Sequence, residues 1–378
     1  MDTLLPLDEK VYSLSDNKKA SMRDLLSSFK RHGTARVTDL HLKTGAPPIY
    51  RVDGLLKKTS GKPVEHDELA GLAKSLLTEA EWEALLELRS INNSHLIEGK
   101  RFRVNCFHDR RGLALAIRAL ETATPQIEDI GFPNRVWEDV VALRQGLVLL
   151  TGATGAGKST TIAALLDRIG KTRACHIITL EDPIEYELES ELAVISQRAI
   201  GRDVPSYERG LRDCLREDPD VIFVGEMTDQ ESTNWVLTAA ETGHLVFSSL
   251  HTRDAAGALT RVLDMYPTSR TDEIANQLSM GLSYVLSQKL VPRSDDRGRV
   301  LAMEVLHNNY AVSNVLRQVK PEQIYTIMQT QTRDEPGQRM CTMEKCLARL
   351  VRAGKVDRRE AERSSNHPQL LSEELDAG

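Results

Sequence analysis

In the segment GATGAGKSTT, Gly152 is followed after four residues by Gly157, Lys158 and Ser159, a pattern suited to gripping phosphate. Glycines let the backbone curl so that successive N–H groups turn inward on one anion. A helix opening at Lys158 would add its positive N-terminal end. Lys158 would bring a point charge to the β- and γ-phosphates, and Ser159 an oxygen for Mg2+. Gly152, Thr154, Gly155, Ala156, Gly157, Lys158, Ser159 and Thr160 are therefore the candidate nucleotide contacts. Hydrolysis needs two things more, a group that orients water and a holder for the metal. Glu181, Asp182 and Glu185 follow the apolar stretch IITL, and Glu226 ends DVIFVGE, so both clusters are candidates, with Glu226 joining Ser159 at the metal. His251 follows the apolar run LVFSSL and would reach the same place, where a neutral imidazole can donate one hydrogen bond. His244 opens that run, so spacing alone suits it to the far rim or a neighbouring loop, and seven residues along a strand do not converge two metal ligands.

Each of these side chains needs a strand to place it. GLVLLTG (146–152), HIITLED (176–182), DVIFVGE (220–226) and HLVFSSL (244–250) are apolar runs separated by helical stretches. That grammar predicts an α/β domain on a mostly parallel sheet covered on both faces. Ligand sites in such sheets lie at the carboxyl ends of strands, so the phosphate loop, the acidic clusters and His251 should share one edge. Beyond about residue 270 the chain reads as mainly helical. Residues 1–20 are polar and aperiodic and read as a flexible tail. Residues 21–122 read as a smaller α+β domain, 123–136 as a linker with two prolines, and 137–378 as the larger domain. Within the smaller domain, a short helix from Ser21 closes at Gly33, and two strands flank the turn Gly45-Ala46-Pro47-Pro48. Asp53-Gly54 reads as a hairpin turn, and VEHDELAGLAKSLLTEAEWEALLEL as helical, with Leu69, Leu72, Leu76 and Leu77 on one stripe.

A second hairpin, RFRVNCFHDRRGLALAIRAL, turns near Arg111-Gly112. Phe102, Val104 and Cys106 alternate with Arg101, Arg103 and Asn105, and Leu113, Leu115 and Ile117 share the apolar face. Arg103 and Arg118 therefore fall together on the opposite face. Like charges on neighbouring strands repel. Either the two side chains spread apart in water, or an anion relieves them, and then they would be arginine fingers reaching from one subunit to another's nucleotide.

The chain's 378 residues suit two domains, and 40% hydrophobic with 28% charged residues is ordinary for a globular protein. A net charge of -6 and the lack of a stripe mixing aromatic and basic residues argue against a nucleic-acid partner. The opening MDTLLPLDEK does not resemble a signal peptide, and no run has the length of a membrane-spanning helix. Five scattered cysteines suit a reducing compartment, so a cytoplasmic location is expected. Cys341 and Cys346 have no second close pair, which argues against structural zinc.

With these motifs in place, the chain resembles the secretion and type IV pilus motor ATPases over residues 21 to about 360. GATGAGKSTT is similar to their Walker A, IITLEDPIEY to their Asp box, LREDPDVIFVGEMTDQES to their Walker B and AAETGHLVFSSLHT to their His box. TDLHLKTGAPPIYRVDG and RFRVN resemble their small domain. The resemblance implies an N-terminal PAS-like domain joined to a RecA-like P-loop ATPase domain, assembled as a homo-hexamer that binds ATP and Mg2+. It implies that Glu185 activates water, that Glu226 acts at the magnesium, and that His244 and His251 both act in catalysis. Arg103 and Arg118 would reach a neighbour's nucleotide. It further implies a cytoplasmic motor for pilus retraction and twitching motility, peripheral at the inner membrane, where it meets a platform protein, with room for a paralogous motor ATPase as a further partner. The lack of a long N-terminal region and of a four-cysteine zinc site favours the retraction branch. In AVSNVLRQ (311–318), Val312-Ser313 replace an Ile-Arg of that branch, so an accessory ATPase or a scaffold paralogue in a pilus or type II secretion motor is the alternative.

Overall fold

Alternate residues of the central strands meet apolar side chains on both faces of the sheet. In Gly146–Thr151, Leu147 and Leu149 enter one core, while Val148 and Leu150 enter the other. Val221–Val224 divides in the same way, with Ile222 and Val224 on one side and Val221 and Phe223 on the other. Burial on both faces is why these runs carry no polar alternation. The structure is a computed structural model describing residues 3–15, 17–29, 37–52, 55–120, 124–227, 229–295, 298–331 and 335–376. The chain divides into two units, Met1–Thr122 and Ala123–Gly378.

The larger unit holds a seven-stranded sheet in the order Val194–Ala199, His176–Glu181, Val221–Val224, Leu245–Leu250, Gly146–Thr151, Leu282–Pro292 and Arg299–His307. Every neighbouring pair is parallel except the last, which is antiparallel. The register pairs Leu250 with Thr151 and Leu180 with Val224, so the strands before the phosphate loop, the two acidic clusters and His251 all end at one edge. The loops that carry the chemistry follow directly from that alignment. No helix among the described residues is long and apolar enough to cross a membrane.

Three sequence expectations for this unit need amending. Helices predominate beyond residue 270 as expected, but two strands were missed there, Leu282–Pro292 and Arg299–His307, which extend the sheet. Both strands carry buried polar residues, among them Ser287, Gln288 and Glu304, and these interrupt the apolar signal. The edge strand Val194–Ala199 was not expected either, since its sequence VISQRA is half polar. The residues expected to link the domains are docked from Ile127 onward. Ile127 is buried in the larger unit's core, with Ile130 and Phe132 packed on it.

The smaller unit has a six-stranded antiparallel sheet in the order Leu55–Lys58, Ile49–Val52, Val37–Lys43, Gly112–Leu120, Lys100–Asp109 and Ser90–Ile97. Phe102, Val104, Cys106, Leu113, Leu115 and Ile117 do share one core with Leu69, Leu72, Leu76 and Leu77. The predicted single helix is two, His66–Lys74 and Glu79–Leu88, divided at Thr78. Thr78 and Glu81 cap each other's backbone, and this capping box starts the second helix. Ser90–Ile97, read as no element in the sequence, is the edge strand beside the hairpin. The flexible tail is corrected as well. Tyr12–Ser15 and Lys18–Ala20 form a ribbon, Tyr12 is fully buried, and its hydroxyl donates to the Lys62 carbonyl at 2.6 Å. Gly33 and Asp53-Gly54 lie outside the described residues.

Candidate active site

The phosphate loop runs from the buried strand Gly146–Thr151 into the helix Lys158–Thr172. Gly152 has φ +146°, and a Cβ there would stand 2.5 Å from the Gln288 carbonyl oxygen, so only glycine fits. Gly157 sits at the helix N-cap with φ +88°. Gln288 braces the loop from the neighbouring strand, its Nε2 donating to the Ala156 carbonyl at 2.8 Å. The helices that start near the other loops of this edge are capped by their own side chains: Ser206, Asp229 and Asp254 each accept from a backbone N–H. The helix at Lys158 has no such cap and no acidic residue in its first turn. Its opening N–H groups are therefore available to an anion.

Lys158 is 8% exposed, and its ammonium donates to the carbonyls of Gly152 at 2.8 Å and Ala153 at 3.4 Å. Burial pulls its pKa down, against the carboxylates of Glu226 and Glu185, which hold it up. His251 Nδ1 lies 3.4 Å from this ammonium, and His251 Nε2 lies 3.3 Å from Glu226 Oε1. An ammonium can only donate, so in the neutral ring Nδ1 accepts and the proton sits on Nε2, facing Glu226. Lys158, His251 and Glu226 thus form one line from the phosphate loop to the second acidic cluster. Buried serines fix its far end: Ser249 Oγ donates to the Gly225 carbonyl at 2.7 Å and Ser248 Oγ to the Val224 carbonyl at 2.9 Å. Glu226, His251 and Arg261 line a cavity of about 300 Å3.

The two glutamates of the first cluster differ. Glu181 is buried, and its Oε1 accepts from Thr179 Oγ1 at 2.7 Å and from Gln197 Nε2 at 3.1 Å. Burial pushes its pKa up to about 7. It braces the loop from beneath. Glu185 is half-buried in the loop above, within electrostatic reach of Lys158. Thr160 Oγ1 is engaged by the Tyr186 hydroxyl at 2.8 Å, which ties this loop to the phosphate-loop helix. Ser159 is half-buried, and among the described residues its hydroxyl has no hydrogen-bond partner. The free Ser159 hydroxyl and the partly exposed Glu226 carboxylate are hard oxygen donors that fit Mg2+, which takes few protein ligands and completes its shell with water and phosphate. Thr154 and Gly155 are exposed at the loop's crest.

His244 is not brought to this edge. Its carbonyl accepts from Gly146 N at 2.9 Å, at the start of the strand whose other end carries the loop. Its Nδ1 is hydrogen-bonded to the Ala239 carbonyl at 3.0 Å, which supports the rim where spacing placed it. Arg103 and Arg118 belong to the smaller unit. They are direct register partners, and Arg118 Nε donates to the buried Asp39 at 2.7 Å. Arg103 has no hydrogen-bond or ion-pair partner among the described residues.

Sequence reasoning missed Gln288, Gln197, Tyr207 and Glu304. Tyr207 lies against Gly225, where an added Cβ would come within 2.9 Å of its hydroxyl. Burial, with Asp182, Glu181 and Glu226 nearby, raises its pKa. Glu304 is fully buried, and its Oε1 accepts from Ala255 N at 2.8 Å, at the start of the helix that follows His251. The one signal available was a lone acid inside an apolar run, VLAMEVLH. Burial pushes its pKa from an ordinary 4.5 up to about 7. The folded chain therefore keeps a proton that the unfolded chain releases above its ordinary value. The Glu304 contribution to stability is full below about pH 4.5 and is lost as pH rises through 7, on the order of 1–3 kcal/mol for such a shift. Glu304→Gln should flatten this slope in urea unfolding between pH 5 and 8, and an unchanged slope would remove Glu304 as its source.

A family profile described as Type II/IV secretion system protein matches residues 50–370. The chain is 38% identical over 347 residues to the type IV pilus retractation ATPase PilT of Pseudomonas aeruginosa, covering 92% of this chain and 98% of the relative. It is 36% identical to a twitching motility protein of Neisseria gonorrhoeae, over 86% of each chain. A crystal structure of the pilus retraction motor PilT with bound ADP superposes with a TM-score of 0.82 at 38% identity, covering 93% of this chain and 98% of that one.

Proposed function

The chain belongs to the Type II/IV secretion system protein family and is a P-loop ATPase, and from that premise we propose that it hydrolyses ATP to power retraction of a type IV pilus. The line of Lys158, His251 and Glu226 beside an uncapped helix N-terminus is the observation that carries this reading. Backbone N–H groups from Gly152 to Thr160 bind the phosphates. Lys158 exchanges its loop carbonyls for the β- and γ-phosphate oxygens. Ser159 and Glu226 would hold Mg2+, which would supply charge neutralisation there. Glu185 orients the attacking water, with Glu181 fixing its loop from below. His251 keeps Lys158 and Glu226 in register by accepting from one and donating to the other.

The work is done by a ring of six copies, in which Arg103 and Arg118 of one subunit complete the site of the next. The motor acts from the cytoplasmic side on an inner-membrane platform protein, and a paralogous motor ATPase can share that platform. The test is a strain lacking this chain. It should keep surface pili but lose retraction, and Glu226→Gln should not restore it. Twitching at the parental rate in the deletion strain would refute the retraction assignment and leave the ATPase to another machine.

A further inference from the structure

Gln197 stands on the edge strand Val194–Ala199, where none of the sequence motifs lies. Its carboxamide makes three hydrogen bonds, all to the first acidic loop. Nε2 donates to Glu181 Oε1 at 3.1 Å and to the Tyr186 carbonyl at 2.9 Å, and Oε1 accepts from Leu188 N at 2.8 Å. The orientation of the amide is set by these partners. A flipped group would face two acceptors with its oxygen and an N–H with its nitrogen.

The three contacts bracket Glu185. Glu181 precedes it, Tyr186 and Leu188 follow it, and Glu181 also accepts from the backbone N–H of Glu185. The Tyr186 hydroxyl fixes the same segment to Thr160, one residue beyond the candidate metal ligand Ser159. The loop is therefore held on one side by the phosphate-loop helix and on the other by Gln197. Thr179 also holds Glu181, and among the described residues its hydroxyl makes no other hydrogen bond to the loop.

We propose that Gln197 is a positioning residue for hydrolysis, clamping the Glu181–Leu188 loop so that the Glu185 carboxylate stands where the attacking water must be oriented. This rests on the ATPase reading, with Glu185 as the group that orients water. Gln197 itself touches neither nucleotide nor water. A glutamate could not replace it, because two of its three partners are acceptors. Small displacements of such a group cost far more in turnover than in binding, since the phosphates are held by the opposite wall.

The test compares Gln197→Met, which keeps the volume and loses all three bonds, with Gln197→Glu, which keeps the acceptor for Leu188 and sets oxygen against oxygen at the other two. Glu185→Gln is the control. Turnover per protomer, the Kd of a fluorescent ATP analogue and the melting temperature are read for each. The expected result is a fall in kcat of roughly ten- to a hundredfold in both Gln197 variants, Gln197→Glu being no better than Gln197→Met, with Kd within about twofold of the parent. Parental kcat in either variant overturns the proposal. So does a loss of analogue binding in step with kcat, which is the mark of a structural role only. If Glu185→Gln itself turns over normally, the assignment of Glu185 fails first, and the clamp has nothing to position.

Discussion

Lys158→Ala lowers ATP turnover by about a thousandfold, the scale of removing a preorganised charge from phosphoryl transfer. The structure shows what its charge balances. Lys158 lies between the loop carbonyls of Gly152 and Ala153 and the carboxylates of Glu226 and Glu185. Without it, those two carboxylates face the incoming γ-phosphate with their shared ammonium gone, and repulsion adds to the lost attraction. His251 also loses the donor that sets its tautomer, so its proton is no longer directed at Glu226. Lys158→Arg should rescue little, because the space suits a compact ammonium and not a planar fork. Folding should survive, since residues 153–155 are exposed and water can replace the ammonium at the Ala153 carbonyl. A steady-state ATPase assay on the purified chain, with a thermal melt alongside, decides it. Turnover above a tenth of the parental value would remove Lys158 from the centre of the site.

What the sequence made legible at this site is what sits next to it in the chain. Glycine spacing, the lysine after it and the acid or histidine just past an apolar run are local signals, so Lys158, Glu226 and His251 emerge as neighbours before any fold is known. Strand direction alone also separated His251 from His244, and the geometry agrees with that separation. Residues that hold the site from the side were not legible. Gln197, Gln288 and Glu304 lie on strands whose own polar residues break the apolar pattern used to find strands, so strand and brace were missed together. Spacing by itself could not tell Glu181 and Glu185 apart, for a related reason. One is the last residue of a strand and the other lies four residues on, and burial depends on Gln197 and Thr179 closing over the first. In the smaller unit the hairpin faces followed from simple alternation. The docking of Tyr12 did not, because a single aromatic in a polar stretch has no period.

The same hairpin supports the second large effect, Arg103→Ala reducing turnover by about a hundredfold or more, as expected for an arginine finger supplied in trans. Arg103 and Arg118 stand directly opposite each other on neighbouring strands, an arrangement that like charges disfavour. Asp39 relieves half of it, taking Arg118 Nε at 2.7 Å, and among the described residues the terminal nitrogens of that guanidinium have no hydrogen-bond partner. Arg103 has no partner among the described residues to relieve it. An oriented guanidinium beside an unpaired one is a surface that lacks an anion, and a neighbour's nucleotide would supply it. Arg103→Ala should therefore cost more than Arg118→Ala, whose loss also takes one donor from the buried Asp39 carboxylate, leaving it Thr38 and Arg51, and so appears partly as lower stability. Mixing separates action in trans from action within a subunit. Lys158→Ala and Arg103→Ala are each inactive alone. In a ring assembled at random from equal amounts, about a quarter of sites pair an intact Lys158 with an intact Arg103 from the next subunit, and activity should return to that extent. Arg103→Ala with parental turnover, or a mixed ring in which both variants are present and no activity returns, would end the trans-finger reading and return the pair to solvent.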